Sequence, residues 1–230
     1  MRTTERLADA AGSLLSTAAE VTGVDRSVPR FVRVVLRAPA FRKAKWVPGA
    51  KLQMLPKAGA FSPRTFTPVR WDVEAGETEL IGYTHGDGPA SVWFGAVEPG
   101  AVARVFGPRR SLDLPALTGP VLFLGDESSV ALACALRHVT QDVRHVFEAT
   151  DPAALEAVLG ALGLAGDVVP KGAEVLKSVR KAVPEGPFDL VASGDAATVH
   201  ALRRDVRGWE RAPRKISGKA YWAQGRTGLD

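Results

Sequence analysis

The strongest constraint on this chain is a change of pattern near residue 119. Between residues 21 and 115, short β-forming runs are separated by Gly and Pro. Phe31-Val32-Arg33-Val34-Val35-Leu36 is one run, and Lys51-Leu52-Gln53-Met54-Leu55 follows the turn at Val47-Pro48-Gly49. Residues 65–69, 79–84 and 101–106 are further strands, with a short helix over 89–97. Many short strands with regular turn signals predict a small barrel or sandwich.

After Gly119 the run Val121-Leu122-Phe123-Leu124 has no polar alternation, as in a strand buried on both faces. An Ala/Leu-rich helix over 128–138 follows. Strands at 143–147, 168–169, 188–192 and 215–222 then alternate with helices at 152–162, 173–182 and 196–206. That alternation predicts a parallel α/β sheet. The domain boundary falls near Leu117-Thr118-Gly119, giving regions 21–118 and 119–230. Ahead of them, residues 4–20 read as a helical extension (region 1–20) with Leu7, Ala11, Leu14, Leu15 and Ala18 near one face.

The bulk numbers exclude several classes. The 230 residues are 46% hydrophobic and 24% charged, ordinary for a globular protein. No apolar run is long enough to cross a bilayer, and residues 1–20 lack the order of a signal peptide. A single cysteine, Cys134, excludes an intrachain disulfide. These features favour the cytoplasm. The net charge of +5 suits anionic ligands, but the basic residues are dispersed and no dense basic run interleaves with aromatics, so nucleic acid is not an expected partner. The four histidines show no metal-ligand spacing, so no protein-held metal is expected. No membrane insertion is expected, and oligomeric state is open, a monomer being the simplest reading.

Two stretches carry chemistry. Tyr83-Thr84-His85-Gly86-Asp87-Gly88-Pro89-Ala90-Ser91-Val92-Trp93 reads as a strand, a glycine turn and a helix start. Gly88 permits close backbone approach. Pro89 suits a first helical turn. The first helical N–H groups lack internal partners and suit a phosphate, to which Ser91 can add a hydroxyl. The same stretch also reads as an ordinary cap. In Arg64-Thr65-Phe66-Thr67, Arg64 offers a charged fork for a pyrophosphate, an aromatic can cover a flavin ring, and a hydroxyl can bond a ring nitrogen. Alternation along a strand would put Phe66 and Thr67 on opposite faces, so a local distortion must bring both to one ligand.

The order of these stretches is more specific than either one. Trp46-Val47-Pro48-Gly49 precedes them; Pro99-Gly100, Gly107-Pro108-Arg109-Arg110-Ser111, Gly125-Asp126-Glu127-Ser128 and Lys219-Ala220-Tyr221-Trp222-Ala223-Gln224-Gly225-Arg226 follow. Over residues 21–226 the series resembles the siderophore-interacting proteins, or ferric-siderophore reductases, among the ferredoxin-reductase-like flavoproteins. The resemblance implies a Greek-key FAD-binding β-barrel followed by a parallel-sheet, nicotinamide-binding-like α/β domain. It implies FAD held by Arg64, Thr65, Phe66, Thr67, Tyr83, Thr84, His85, Gly88, Pro89, Ala90 and Ser91, with Tyr221 and Trp222 near the flavin. Phe66 stands where the family has Tyr, and Pro68 after Thr67 is unusual for it.

For the second half the resemblance implies NADPH or NADH near Asp126, Glu127, Ser128, Gly194 and Asp195. No Gly-x-Gly-x-x-Gly is present. Glu148 stands about 20 residues past the first turn, where an acid favours NADH in a standard dinucleotide site. The implied activity is iron acquisition: an oxidoreductase passing electrons from NAD(P)H or another donor through FAD to siderophore-bound Fe(III). No amino-acid general acid or base is called for. Lys43, Lys45, Lys57, Lys215 and Lys219 are candidates to attract an anionic siderophore. A diaphorase and a non-catalytic FAD- or siderophore-binding protein are the alternatives.

Overall fold

The structure is a computed structural model that describes residues 16–56, 63–172 and 174–226. It forms two compact units, Met1–Ser111 and Leu112–Asp230.

The first unit is an antiparallel, barrel-like sheet. Its strands are β1 (Thr17–Asp25), β2 (Phe31–Arg37), β3 (Lys51–Leu55), β4 (Arg64–Phe66), β5 (Arg70–Asp72), β6 (Glu77–Tyr83) and β7 (Val102–Arg109). Helix α1 (Pro89–Ala96) lies between β6 and β7 in sequence. The strand order is β4-β3-β7-β1-β2-β6-β5. Leu36, Leu52, Met54, Leu80 and Val105 fill the core, joined by Phe94 from α1. Gly82 makes room for that ring, because a Cβ there would overlap it.

Two expectations change here. Residues 17–20, read as the end of a helix, are strand and pair with β7 from Thr17–Val105 to Glu20–Val102. The alternation of buried Ala19 and Val21 with exposed Ala18 and Glu20 outweighs the helical composition. The rest of that expected helix, with Leu7, Ala11, Leu14 and Leu15, lies outside the described residues, as does Lys57. The strand expected over 65–69 stops at Phe66, and the next strand starts only at Arg70. Pro68 cannot donate to a ladder, so the chain leaves β3 after Phe66 and joins β6 at Arg70.

The second unit contains β8 (Val121–Gly125), a 3-10 turn (Glu127–Ser129), α2 (Val130–Leu136), β9 (Val143–Ala149), α3 (Pro152–Ala161) and β10 (Asp167–Pro170). It continues with α4 (Glu174–Lys181), β11 (Asp189–Asp195), α5 (Ala196–Asp205) and β12 (Lys215–Trp222). All neighbouring strands are parallel, in the order β10-β9-β8-β11-β12. β8 and β11 are buried along their whole length, which explains the unbroken apolar or small-residue runs of β8 and of 190–194 in β11, between buried Asp189 and Asp195. The order reverses between β8 and β11, so the crevice beyond their carboxyl ends is the topological switch point. Buried Leu114 and the Thr118 N–H, which donates to Asp189 at 3.0 Å, place the lead-in to β8 within this unit.

Among the described residues, no helix is long and apolar enough to cross a membrane, and no group of three or more His, Cys, Asp or Glu is placed to hold a metal.

Candidate functional site

In the first unit, β6 delivers the chain into an exposed turn at residues 85–89, and α1 starts at once with Pro89. Thr84 fixes the entry: its N–H and its hydroxyl both donate to the Arg30 carbonyl, at 2.7 and 3.0 Å. Tyr83 stacks on His85 with centroids 5.1 Å apart and lies 5.0 Å from Phe31, so the turn leaves from an aromatic column. Ser91 closes it: its hydroxyl donates to the His85 carbonyl at 2.9 Å and accepts the His85 N–H at 3.1 Å. The hydroxyl expected to face a phosphate therefore holds the turn in shape.

Gly88 is the informative residue. Its φ of −60° and ψ of 148° are open to any L-residue. A Cβ built there would meet no protein atom within 4 Å. Neither backbone strain nor packing asks for glycine at this N-cap. The Val92 N–H is the first in α1 to find an internal acceptor, the Gly88 carbonyl at 3.0 Å. The Ala90 and Ser91 N–H groups precede it and, by helix geometry, have no acceptor within the helix.

The Arg64 strand packs against the same helix. Phe66 on β4 meets Phe94 on α1 edge to face, 5.2 Å between centroids. This contact ties the two sequence stretches together across 28 residues of chain (94 minus 66). β4 ends at Phe66, so the strict alternation that separated Phe66 from Thr67 stops there. Thr67 is buried, at 7% exposure. Thr65 and Arg64 remain half-buried, and Arg64 directs one guanidinium nitrogen to the Pro63 carbonyl at 3.3 Å.

Sequence reading missed Arg26. Its guanidinium donates to the Phe94 carbonyl at 3.4 Å and to the Val97 carbonyl, and sits 3.4 Å from the Glu98 carboxylate. It holds α1 by its carbonyl end, where a cation also complements the helix dipole. No local motif signals it; Arg26 and Phe94 are 68 positions apart.

The second unit places Asp126, Glu127, Ser128, Gly194 and Asp195 at the switch point. It arranges them differently from a phosphate cradle. Asp126 is 2% exposed, and its carboxylate is the centre of the site. Oδ1 accepts the Ser128 N–H at 2.9 Å, the Ser128 hydroxyl at 2.5 Å and the Ser129 hydroxyl at 3.1 Å. Oδ2 accepts the Asp195 N–H at 2.9 Å and the Trp222 indole N–H at 2.7 Å. Ser193 supports Ser129 through a hydroxyl bond of 2.8 Å. Burial raises the Asp126 pKa, the Ser128 and Trp222 bonds oppose the rise, and the Glu127 charge adds to it.

The neighbouring acids are also engaged. Glu127 accepts the Thr150 N–H at 2.6 Å, and Lys171 pairs with Asp195 at 2.8 Å. Glu148, 2% exposed, accepts the Thr198 hydroxyl at 2.5 Å. Burial raises its pKa as well, with Asp126 and Asp195 adding repulsion. A carboxylate so enclosed does not present itself to a ribose, which removes the basis for expecting NADH over NADPH. Trp222, expected beside the flavin, has its indole N–H on Asp126, while Lys171 lies 4.0 Å from its ring centroid. These partners all lie in the second unit.

Residues 30–112 match the family model of the siderophore-interacting FAD-binding domain. No curated protein matches the sequence. Among solved structures, a siderophore utilization protein from T. fusca is 25% identical at a TM-score of 0.73, over 94% of this chain and 95% of that one. The siderophore-interacting protein SipS from Aeromonas hydrophila is 20% identical at 0.73, over 92% and 93%. A ferredoxin reductase in carbazole 1,9a-dioxygenase is 18% identical at 0.71, over 90% of this chain and 69% of that one, and shares the fold.

Proposed function

We propose that this chain, whose residues 30–112 match the siderophore-interacting FAD-binding domain, is a FAD-dependent ferric-siderophore reductase. The observation that carries the reading is Gly88. It is an exposed glycine that neither its own backbone nor its packing requires, at the head of a helix whose first N–H groups have no acceptor within the helix. That arrangement fits a pyrophosphate. In this reading the Ala90 and Ser91 N–H groups take the phosphates and Arg64 pairs with them through its fork. The Ser91 clasp and the Thr84–Arg30 bonds hold the turn open, and the Tyr83–His85 stack borders the adenylate end. Phe66 offers its ring to the flavin and Thr67 a hydroxyl. Pro68 removes one backbone donor beside that ring.

Bound FAD would supply the redox chemistry, moving electrons from a reduced donor to Fe(III) in a siderophore, one electron for each Fe(III) reduced to Fe(II). Hard oxygen ligands hold Fe(II) far less well than Fe(III), so reduction frees the metal. The protein's part is to bind and orient; no side chain need carry a proton. A cytoplasmic setting belongs to this reading, supported by the single cysteine.

The test has two steps. Purified protein should be yellow, or take up FAD when it is supplied. After photochemical reduction under nitrogen, it should release Fe(II) to a ferrous chelator on addition of a ferric siderophore. Protein that takes up no FAD, or whose reduced flavin leaves ferric siderophores untouched, rules the assignment out.

A further inference from the structure

Open parallel sheets bind dinucleotides at the switch point, with backbone N–H groups and a helix start directed at the pyrophosphate. Here the corresponding donors are the Ser128 N–H and the Asp195 N–H at the head of the ten-residue α5. Two hydroxyls and an indole N–H join them, and all five donors converge on one carboxylate belonging to the protein. We propose that Asp126 is a built-in occupant of the dinucleotide crevice, filling its anion hole so that no nicotinamide dinucleotide places its pyrophosphate there.

Three observations support this. First, both carboxylate oxygens are engaged, so the five donors that face this point are already spent on Asp126. Second, the space is taken: Gly194 has φ of +107°, and a Cβ there would overlap the Asp126 carboxylate. In this crevice the glycine makes room for an internal side chain. Third, the surroundings are acidic. Glu127, Glu148 and Asp195 stand around Asp126, and Lys171 is already paired with Asp195 and laid on Trp222. A pyrophosphate would meet repulsion at short range in a poorly solvated site. The consequence for the electron donor rests on the reductase reading: the reductant is one that does not seat a pyrophosphate at this switch point. The filled crevice itself does not depend on that reading.

The full chain is used for the test. Thermal melts of wild type, Asp126→Ala and Asp126→Asn are run against inorganic pyrophosphate. In parallel, FAD-loaded wild type is mixed with NADPH and with NADH under nitrogen. Emptying the hole in Asp126→Ala should let pyrophosphate bind ~10-fold or more tightly than in wild type, read as a ligand-dependent rise in Tm. Asp126→Asn fills the same space, but its amide nitrogen cannot accept the bonds one carboxylate oxygen now takes, so it should melt lower than wild type and still gain no pyrophosphate affinity. Flavin reduction by either nucleotide should rise linearly with concentration and should not respond to pyrophosphate. Saturable reduction of wild type that pyrophosphate inhibits overturns the proposal, as does a folded Asp126→Ala that gains no pyrophosphate affinity. Should Asp126→Ala fail to fold, the pyrophosphate competition in wild type decides. FAD uptake is measured separately: its failure ends the reductase reading and leaves the pyrophosphate melts to judge the crevice.

Discussion

The two units use the same local design, a strand running into a glycine-containing turn and a helical start, with opposite outcomes. In the first unit the turn before α1 is open. Gly88 has empty space where its side chain would be, and the helix start faces solvent. In the second unit the equivalent place is closed by the protein's own acid, with Gly194 giving way to Asp126. Two glycines beside helix starts thus have opposite surroundings: a Cβ at Gly88 would meet no protein atom, and one at Gly194 would overlap Asp126. A fold that carries two potential anion sites need keep only one of them for a ligand.

The comparison can be broken in several ways. The largest expected effect is on the closed side. Asp126→Ala leaves five buried or half-buried donors without their acceptor, and should cost about 3 kcal/mol in urea unfolding. A loss below 1 kcal/mol, with no anion present, would show that the network relaxes and that the carboxylate is not its centre. Next comes the open side. Arg64→Ala should weaken FAD about 10- to 100-fold with unfolding midpoint unchanged, as expected for loss of a charge-assisted pair with phosphate. Equal loss of stability and of FAD affinity would mark Arg64 as structural.

A smaller effect concerns pH. Burial raises the Glu148 pKa above its unfolded value. Its stabilising contribution is therefore complete below the ordinary carboxylate range and fades as pH rises through the raised folded value. Glu148→Gln keeps an oxygen for the Thr198 hydroxyl and cannot ionise. Its stability relative to wild type should climb across that window, measured by urea midpoints over a pH series; a flat difference would contradict the assignment. His145 acts in the opposite sense, since burial lowers its pKa and its neutral ring is favoured. Its contribution is present above the ordinary histidine range and is lost as pH falls through the lowered folded value. The smallest effect is at Arg26. Arg26→Gln removes the cation at the far end of α1 and should loosen FAD about 3-fold, a helix-dipole and positioning effect. Glutamine keeping full affinity at low salt would remove Arg26 from the account.

Much of the fold was legible because it rests on local pattern. Val121-Leu122-Phe123-Leu124 announced a doubly buried strand, and Lys51–Leu55 and Lys215–Trp222 have the expected bounds. β1 was not legible as a strand. Ala18, Ala19 and Glu20 suit a helix, and the strand is set by pairing with β7, more than 80 residues away, and with β2. The break at Pro68 was visible as an oddity, but its effect depends on which neighbour each half pairs with. The candidate site divides in the same way. The open turn could be read from Gly88-Pro89 and its order with Arg64. The filled crevice could not, because Asp126, Asp195 and Trp222 meet across as many as 96 positions. Aspartate and glutamate after a strand gave a hint of poor phosphate chemistry, but not that five donors converge on the aspartate.

The open side of the comparison is tested most directly by titrating flavin-free wild type and Gly88→Ala with FAD, followed by flavin fluorescence. Alanine suits the local backbone and meets no protein atom, so the variant should fold as well as wild type or gain up to about 1 kcal/mol. The added methyl should fall against the ligand, so wild type should bind one FAD per chain and Gly88→Ala should bind it about tenfold or more weakly. Identical titration curves for the two proteins, or no saturable uptake by wild type, would contradict the claim that this turn is kept open for a cofactor.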